Sequence, residues 1–289
     1  MILSNLSKTK KFFLIFIILY LFLTLIYLGT LSFVDQRLEE RTFPNIYNNC
    51  NKIWATRGLV TDGYLEPASK GNTVESLLLA FKHNAKGSEI DVFFDPSLNK
   101  YIVSHDYPYN LKNGKLLSLE ELITKIGTDN FIWLDLKKLG KLSNSQVKMA
   151  VARLDQISNL NSFKEKLYIE GEDPVNLGYF RDSGFNTIFD TQPLPQSYFI
   201  STFVLNFYKI AYYFGDFTVM SMNSGNIDNP IFSSKAEKLL TNIPMFLYHV
   251  PDDKTLLSRL SNIENVKVVL NTDHSANRFN INNCKKESD

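Results

Sequence analysis

Length, composition and charge already argue against several classes of protein. The chain has 289 residues, and its 31 Lys and Arg against 30 Asp and Glu leave a formal net charge of +1, without the basic excess that a general nucleic-acid binder needs. At 44% hydrophobic and 21% charged it is not disordered, and two cysteines exclude a disulfide-rich scaffold and a four-cysteine zinc site. Neither a glycine-rich phosphate loop nor a G-x-S-x-G elbow occurs, which disfavours a nucleotide-binding enzyme and a serine hydrolase.

The first predicted element is an apolar segment of membrane-spanning length. Residues 12–34 carry no charge, and at about 1.5 Å per residue such a helix crosses the ~30 Å hydrocarbon core. Lys8, Lys10 and Lys11 precede it, so the positive-inside tendency predicts residues 1–11 in the cytoplasm and the rest of the protein on the non-cytoplasmic side. We expect an uncleaved single-pass anchor. A cleaved signal peptide is the alternative, although its apolar region usually covers only about 7 to 15 residues.

Residues 35–48 are predicted as a linker, and residues 49–289 as one α/β domain of the size of a (β/α)8 TIM barrel. Short β-rich runs alternate with longer helical stretches, which is typical of parallel βα units. A further run, residues 101–104, is expected to form a hairpin with the second strand. A doubly wound open sheet is the alternative topology. The eight predicted strands cover residues 53–56, 89–94, 131–136, 166–169, 186–189, 217–222, 244–250 and 266–270, and the predicted helices cover residues 73–84, 118–126, 143–157, 175–183, 233–240 and 253–261.

Charged residues collect at the C-terminal ends of these strands, where barrel enzymes build their active sites. Glu89 and Asp91 are two residues apart on one strand and share a face, as do Asp135 and Lys137. Converging carboxylates need positive charge among them, and a hard divalent ion, Mg²⁺ or Ca²⁺, is the simplest source. Solvated strand-end acids are the alternative. The other candidates at this edge are Thr56, Arg57, His105, Asp106, Glu170, Asp190, His249 and Asp273.

Five short motifs follow one another between residues 54 and 137. They are Thr56-Arg57-Gly58, Gly71-Asn72-Thr73, Glu89-Ile90-Asp91-Val92, His105-Asp106 and Asp135-Leu136-Lys137. In this order they resemble the H-R-G, E-N-T, E-x-D-V, H-D and E-x-K run of the glycerophosphodiester phosphodiesterase family. Asn271-Thr272-Asp273, after an apolar strand, is similar to that family's closing T-D. The resemblance predicts a metal-dependent phosphodiester hydrolase, which the N-terminal apolar segment would anchor to a membrane.

The resemblance also implies a role for each matching residue. It implies metal ligands at Glu89, Asp91 and Asp135, phosphate contacts from Arg57, Lys137 and Asn72, and a general acid or base at His105. The metal, Mg²⁺ or Ca²⁺, would neutralise the phosphodiester, while two histidines exchange protons with the attacking and leaving oxygens. The expected substrates are glycerophosphodiesters or phospholipid headgroups.

Thr56 stands where the family has its first histidine, and a threonine hydroxyl is no acid or base at neutral pH. Loss of one proton-transfer group costs about 10² to 10⁴-fold in rate, so three hypotheses stay open. In the first, His249 takes over from across the barrel mouth. In the second, the barrel binds a phosphate-bearing lipid or polyol without cleaving it. In the third, the protein is a slow enzyme that uses the metal and His105 alone. His249 points either into the barrel or between strands and helices.

Two further features have alternative interpretations. Residues 198–214 are aromatic-rich around a single charge, Lys209, and form either the outer helix of a βα unit or a helix against the bilayer over the barrel mouth. The second interpretation favours a membrane lipid as substrate. Cys50 and Cys284 flank the predicted barrel and form either a disulfide in an oxidising compartment or two unrelated thiols.

Overall fold

A computed structural model describes most of the chain. It covers residues 8–43, 46–59, 71–112, 114–160, 162–192, 194–195, 197–271 and 276–280. Thr272 and Asp273 of the closing motif lie outside the described residues, and so does Cys284. Cys50 is disulfide-bonded, and its pairing with Cys284 stays a prediction.

Eight parallel strands close into a barrel. The strands in chain order are β1 (Ile53–Thr56), β2 (Gly87–Asp95), β3 (Lys100–Val103), β4 (Phe131–Leu136), β5 (Leu167–Gly171), β6 (Asn186–Asp190), β7 (Val219–Asn223), β8 (Gly225–Asn226), β9 (Asn229–Pro230), β10 (Met245–Val250) and β11 (Val266–Asn271). The ring runs β1, β2, β4, β5, β6, β7, β10 and β11, and β11 pairs again with β1. This closure confirms the predicted TIM barrel over the open sheet.

The remaining strands are accessories, and helices surround the ring. β3 pairs antiparallel with β2 as the predicted hairpin, and β8 and β9 form a small hairpin after β7. Several helices begin at residues whose side chains accept hydrogen bonds from the first turn, such as Thr73, Asp173 and Asp253. The helices are α1 (Lys8–Glu40), α2 (Val74–Lys82), α3 (Leu119–Ile126), α4 (Asn144–Leu160), α5 (Pro174–Asp182), α6 (Tyr198–Gly215), α7 (Ser234–Leu239) and α8 (Lys254–Ser261).

Aromatic side chains fill the lower half of the barrel. The ring centroid of Phe246 lies 5.7 Å from that of Trp54, 5.3 Å from that of Trp133 and 5.0 Å from that of Tyr168. Both tryptophans are buried in this cluster. Because this plug closes the lower half, space for a ligand lies at the C-terminal ends of the strands, which we call the mouth.

The apolar N-terminal segment is helical and longer than predicted. Within the stretch from Phe12 to Glu40, an 18-residue window has a mean hydropathy of 2.7 and is not buried in the protein, so by length and composition the helix can cross a membrane. The first six residues of the predicted linker are helical because residues 35–40 contain neither Gly nor Pro and because Val34 and Leu38 are buried against the domain. Tyr47, further along that linker, packs on Trp54 at 4.9 Å in the barrel floor.

Candidate active site

Neighbouring strands bring the predicted acids to the same side of the barrel. In the parallel pairing of β2 with β4, Asp91 lies opposite Asp135, and in the pairing of β4 with β5, Asp135 lies opposite Glu170. Thr56 on β1 lies opposite Glu89 on β2. Side chains two residues apart on a strand share a face, so the acids form two levels at the mouth, directly above the aromatic plug.

The segment after β1 is tied to Asp91 through Asn72. Arg57 and Asn72 both have left-handed backbones, with φ of 60° and 57°, and the Asn72 backbone N–H donates to the Arg57 carbonyl at 2.9 Å. The Asn72 amide then donates to Asp91 Oδ2 at 2.7 Å and accepts from the Asp91 N–H at 3.0 Å. Asn72 is therefore a buried group that orients Asp91, and its predicted contact with substrate stays a prediction.

Asp91 lies between two cations. Its Oδ2 is 2.7 Å from Arg57 Nε, and its Oδ1 is 2.8 Å from Lys137 Nζ. Burial alone would raise the pKa of Asp91, but the charges of Lys137 and Arg57 outweigh it and hold this pKa below its usual range. Lys137 also pairs with Asp135. The two cations predicted to bind phosphate, Arg57 and Lys137, thus form ion pairs with two of the predicted metal ligands, Asp91 and Asp135.

Of the three acids Glu89, Asp91 and Asp135, Glu89 has no ion pair within the described part of the chain. Burial, followed by the charges of Asp91 and Asp135, raises its pKa to about 8. Its Oε2 atom is buried and accepts no hydrogen bond from the described residues, which is an unfavourable state for a carboxylate oxygen unless a cation approaches it.

Glu89, Asp91 and Asp135 together fit a hard cation. One oxygen from each of them lies within 4.8 Å of the others, a spacing compatible with metal–oxygen distances of about 2.0 to 2.6 Å. All the donors are carboxylate oxygens, which suit Mg²⁺ or Ca²⁺ rather than a thiolate-binding metal. The orphaned Glu89 oxygen is the observation that supports this fit. Within the part of the chain that the structure describes, this is the acidic group that could hold a metal ion.

Glu89 and Asp135 line a cavity of about 950 Å³ at the mouth, whereas Asp91 is fully buried beside them. The volume is sufficient for a phosphodiester with a small alcohol on each side. The polar lining residues include Arg57, Glu89, His105, Asp135, Lys137, Glu170, Asp190, Tyr248 and His249.

His249 reaches the cavity through an irregularity in β10. Phe246 and Tyr248 point into the barrel, so strict alternation would turn His249 outward. The pairing of β10 with β11 shifts register between Leu247 and Val250, however, and His249 takes a left-handed φ of 51°. The outcome is an exposed imidazole that lines the cavity together with Tyr248. β10 is separated from β1 only by β11, so His249 is two strands from Thr56 and not across the mouth.

The environment of His249 favours its neutral form. Partial burial, together with the positive charges of Arg57 and Lys137, lowers its pKa. Its Nδ1 lies 3.2 Å from Asn223 Nδ2, which holds the ring. An imidazole that stays neutral near pH 7 can accept a proton.

His105 follows β3 and lines the same cavity. Its Nδ1 lies 2.8 Å from Asp106 Oδ1, a contact through which Asp106 orients the ring. Thr56 also lines the cavity, but its hydroxyl donates to the Asn271 carbonyl at 2.8 Å. That bond ties β1 to β11.

A second acidic pair, Glu170 and Asp190, adjoins Asp135 on the next two strands of the ring, β5 and β6. Glu170 accepts from Trp133 Nε1 at 2.9 Å and from Ser221 Oγ at 2.6 Å, and the Ser221 hydroxyl also lies 3.0 Å from Asp190. Burial raises the pKa of both acids, that of Asp190 to about 7. Burial and these acids in turn raise the pKa of Tyr248. Sequence reasoning missed Ser221 and Tyr248, although Tyr248 is two residues from the inward-facing Phe246.

Comparisons with known proteins find similarity at the level of three-dimensional structure. No family model matches the sequence, and no curated protein matches it. Among solved structures, a glycerophosphodiester phosphodiesterase from Thermotoga maritima is 16% identical over 76% of this chain and 93% of its own, with a TM-score of 0.53. One from Parabacteroides distasonis is 16% identical over 78% and 94%, with a TM-score of 0.54. A protein from Galdieria sulphuraria assigned to this class is 15% identical over 79% and 95%, with a TM-score of 0.57.

The chain has the glycerophosphodiester phosphodiesterase fold. The resemblance expected from the motif order is therefore confirmed for the fold, across about three quarters of the chain. At such low identity the similarity shows fold alone, and the roles of individual residues, including the match of Thr56 to the first histidine, stay predictions.

Proposed function

We propose that the protein is a membrane-anchored, metal-dependent phosphodiester hydrolase whose barrel lies on the non-cytoplasmic side. Its substrates are glycerophosphodiesters or phospholipid headgroups. The observation that carries the proposal is the acidic group of Glu89, Asp91 and Asp135 at the mouth, with the Arg57 and Lys137 cations in contact with it. This combination suits an anionic diester bound through a cation, and it occurs in a fold that solved phosphodiesterases share.

Several residues of the mouth have a part in the proposed reaction. Glu89, Asp91 and Asp135 would hold Mg²⁺ or Ca²⁺, which would supply charge neutralisation at the phosphodiester oxygens. Arg57 and Lys137 bind the phosphate. Neutral His249 takes the proton from the attacking water or hydroxyl as its oxygen bonds to phosphorus. His105, oriented by Asp106, donates a proton to the alkoxide that leaves as the other phosphorus–oxygen bond breaks.

A second function is favoured by the contact of Thr56. Because its hydroxyl is engaged with the Asn271 carbonyl, this position holds no proton-transfer group. The alternative is a catalytically impaired barrel that binds a phosphate-bearing lipid or polyol.

The deciding experiment measures hydrolysis by the full chain in vesicles or detergent, on glycerophosphodiesters and phospholipids, with Ca²⁺ or Mg²⁺ and then with chelator. We expect metal-dependent turnover that His105→Ala and His249→Ala each reduce by about 10² to 10⁴-fold. His83→Ala is the matched control, because His83 caps the far end of α2 away from the mouth.

Other results of this hydrolysis experiment would favour a different function. Activity lost in His105→Ala but retained in His249→Ala favours the slow one-histidine enzyme. A silent wild type that Thr56→His activates, and that binds glycerophosphate measurably, identifies the impaired binder. Silence in both proteins contradicts the hydrolase.

A further inference from the structure

The arrangement of α1 against α6 bears on how the barrel sits on the membrane. α6 connects the mouth end of β6 to the bottom of β7, so its N-terminus lies at the mouth and its C-terminus at the barrel floor. Its direction relative to the mouth is therefore fixed by chain connectivity alone.

α1 runs parallel to α6. Tyr27 of α1 stacks on Phe203 with ring centroids 5.4 Å apart and accepts a hydrogen bond from Asn206 at 3.0 Å. Further along both helices, Asp35 pairs with Lys209 at 2.6 Å, and Arg41, just after α1, pairs with Asp216 at 2.7 Å. Residue numbers in these contacts increase along both segments toward the barrel floor, so the two helices are parallel.

This parallel contact determines the side from which the membrane segment arrives. The apolar stretch before Tyr27 continues for 15 residues back to Phe12, which is about 22 Å of helix beyond the level of Phe203. That stretch extends past the N-terminal end of α6, on the mouth side. After α1 the chain crosses the floor at Tyr47 and enters β1 from below. The apolar part of α1 therefore extends from the mouth side of the barrel.

The exposed face of α6 matches this position. Phe199, Phe203 and Phe207 are 84%, 56% and 59% exposed and recur every four residues, so they form one stripe along the helix. The stripe adjoins α1 at Tyr27, which lies inside the uncharged stretch and about 10 Å before its end. Because α6 runs parallel to α1, the stripe enters the bilayer with its N-terminal end first: by helix rise Phe207 lies about 4 Å, Phe203 about 10 Å and Phe199 about 16 Å inside the end of the uncharged stretch. Phenylalanine side chains suit these depths, from the headgroup boundary into the acyl chains.

Neighbouring loops on the mouth side carry exposed apolar side chains as well. Val175, in the first turn of α5, is 72% exposed, and Ile227, between β8 and β9, is 60% exposed. Both follow strands next to β6 and therefore flank the start of α6. Lys235 extends the rim with a cation that lies 3.6 Å from the Tyr198 ring centroid, a combination that suits phosphate headgroups above an apolar layer.

We propose that the α6 stripe and this rim dock in the membrane interface, so that the mouth opens onto the bilayer from which α1 emerges. The occupant of the apolar surface is lipid. This part of the inference rests on the proposed function: the preferred substrate is then the headgroup diester of a phospholipid in that same membrane, over a soluble glycerophosphodiester that reaches the mouth from the water.

The test of orientation uses environment-sensitive fluorophores and requires no turnover. Phe199→Cys, Ile227→Cys and Leu160→Cys are labelled separately in the full chain in phospholipid vesicles. Leu160 is the matched control, because it is 79% exposed and ends α4 at the floor side. We expect blue-shifted emission and quenching by brominated lipid at positions 199 and 227, and quenching by aqueous iodide at position 160.

Iodide quenching at 199 and 227 equal to that at 160 would overturn the orientation. If Phe199→Cys disturbs α6, the Ile227 and Leu160 labels still decide between the two results.

Activity provides the second, separate readout. The Phe199→Ser/Phe207→Ser double variant should lose turnover of vesicle phospholipid while retaining hydrolysis of a soluble glycerophosphodiester. Equal loss on both substrates contradicts the lipid inference. Labels in the expected environment without any turnover would reject the proposed function and leave the orientation intact. Turnover by a protein whose labels at positions 199 and 227 are exposed to water would reject the orientation and leave the proposed function intact.

Discussion

Left-handed backbone recurs at residues of the mouth, where it determines the direction of functional side chains. Arg57, Asn72 and His249 all have φ between 51° and 60°, a region that costs a residue with a side chain about 1 to 3 kcal/mol. Hydrogen bonds offset part of this cost, because the Asn72 N–H donates to the Arg57 carbonyl and the Asn72 amide is held by Asp91. The strained backbone conformations occur at the residues whose direction matters: Arg57 points toward Asp91, and His249 points into the cavity.

The pH profile of turnover should report the environment of His249. Its lowered pKa means that the ring remains neutral to a lower pH than free imidazole does. Because a general base acts in its neutral form, kcat/KM should fall on the acid side only below the ordinary range of histidine. The measurement is kcat/KM against pH for wild type and His249→Gln.

In His249→Gln this acid limb should disappear along with most of the activity, whereas His83→Ala should keep both. An unchanged acid limb in His249→Gln would show that another group is the base.

At the scale of elements, β2 fits against β1 because Gly87 has no side chain. A Cβ at Gly87 would lie 2.5 Å from the Trp54 ring, and that ring is fixed by the aromatic plug. Gly87→Ala should therefore destabilise the barrel by about 1 to 3 kcal/mol through overpacking. Urea unfolding measures the loss.

Gly178→Ala is the matched control. It lies inside α5, where the nearest atom to a new Cβ is 3.7 Å away, so it should be neutral or stabilising by up to about 1 kcal/mol. Equal effects of the two substitutions would contradict the packing argument.

Elements were predictable where hydrophobic pattern and turn chemistry agree. The strand over residues 131–136 forms as expected, whereas the strand predicted at 217–222 begins two residues later, as Val219–Asn223. The Phe217 N–H still donates to the Tyr212 carbonyl of α6, so this residue belongs to the end of the helix. The bulge in β10 could not be predicted, since it arises from the register with β11. For the same reason the direction of His249 stayed open until the strands were paired.

At the scale of the whole molecule, a bound cation should stabilise the closed barrel. Glu89, Asp91 and Asp135 come from two strands and converge only in the folded chain, so an ion binds the folded state preferentially. By mass action, Ca²⁺ or Mg²⁺ at a hundredfold excess over its dissociation constant adds about 2.7 kcal/mol to the free energy of unfolding. Thermal unfolding with metal and with chelator measures this difference.

Glu89→Gln should abolish the metal-dependent part of the stability. Glu172→Gln is its control, because Glu172 lines the same cavity but is not among the three grouped acids. Stabilisation that persists in Glu89→Gln would place the ion elsewhere.

The sequence by itself determined the barrel, the apolar helix and the residue types at the strand ends, because hydrophobic periodicity and the order of short motifs are local properties. The tertiary structure decided which of these residues meet. It joined Asn72 to Asp91 across 19 positions, left one Glu89 oxygen without a hydrogen bond and laid α1 parallel to α6. These outcomes depend on strand register, backbone strain and helix packing between segments far apart in the chain, which no local pattern encodes.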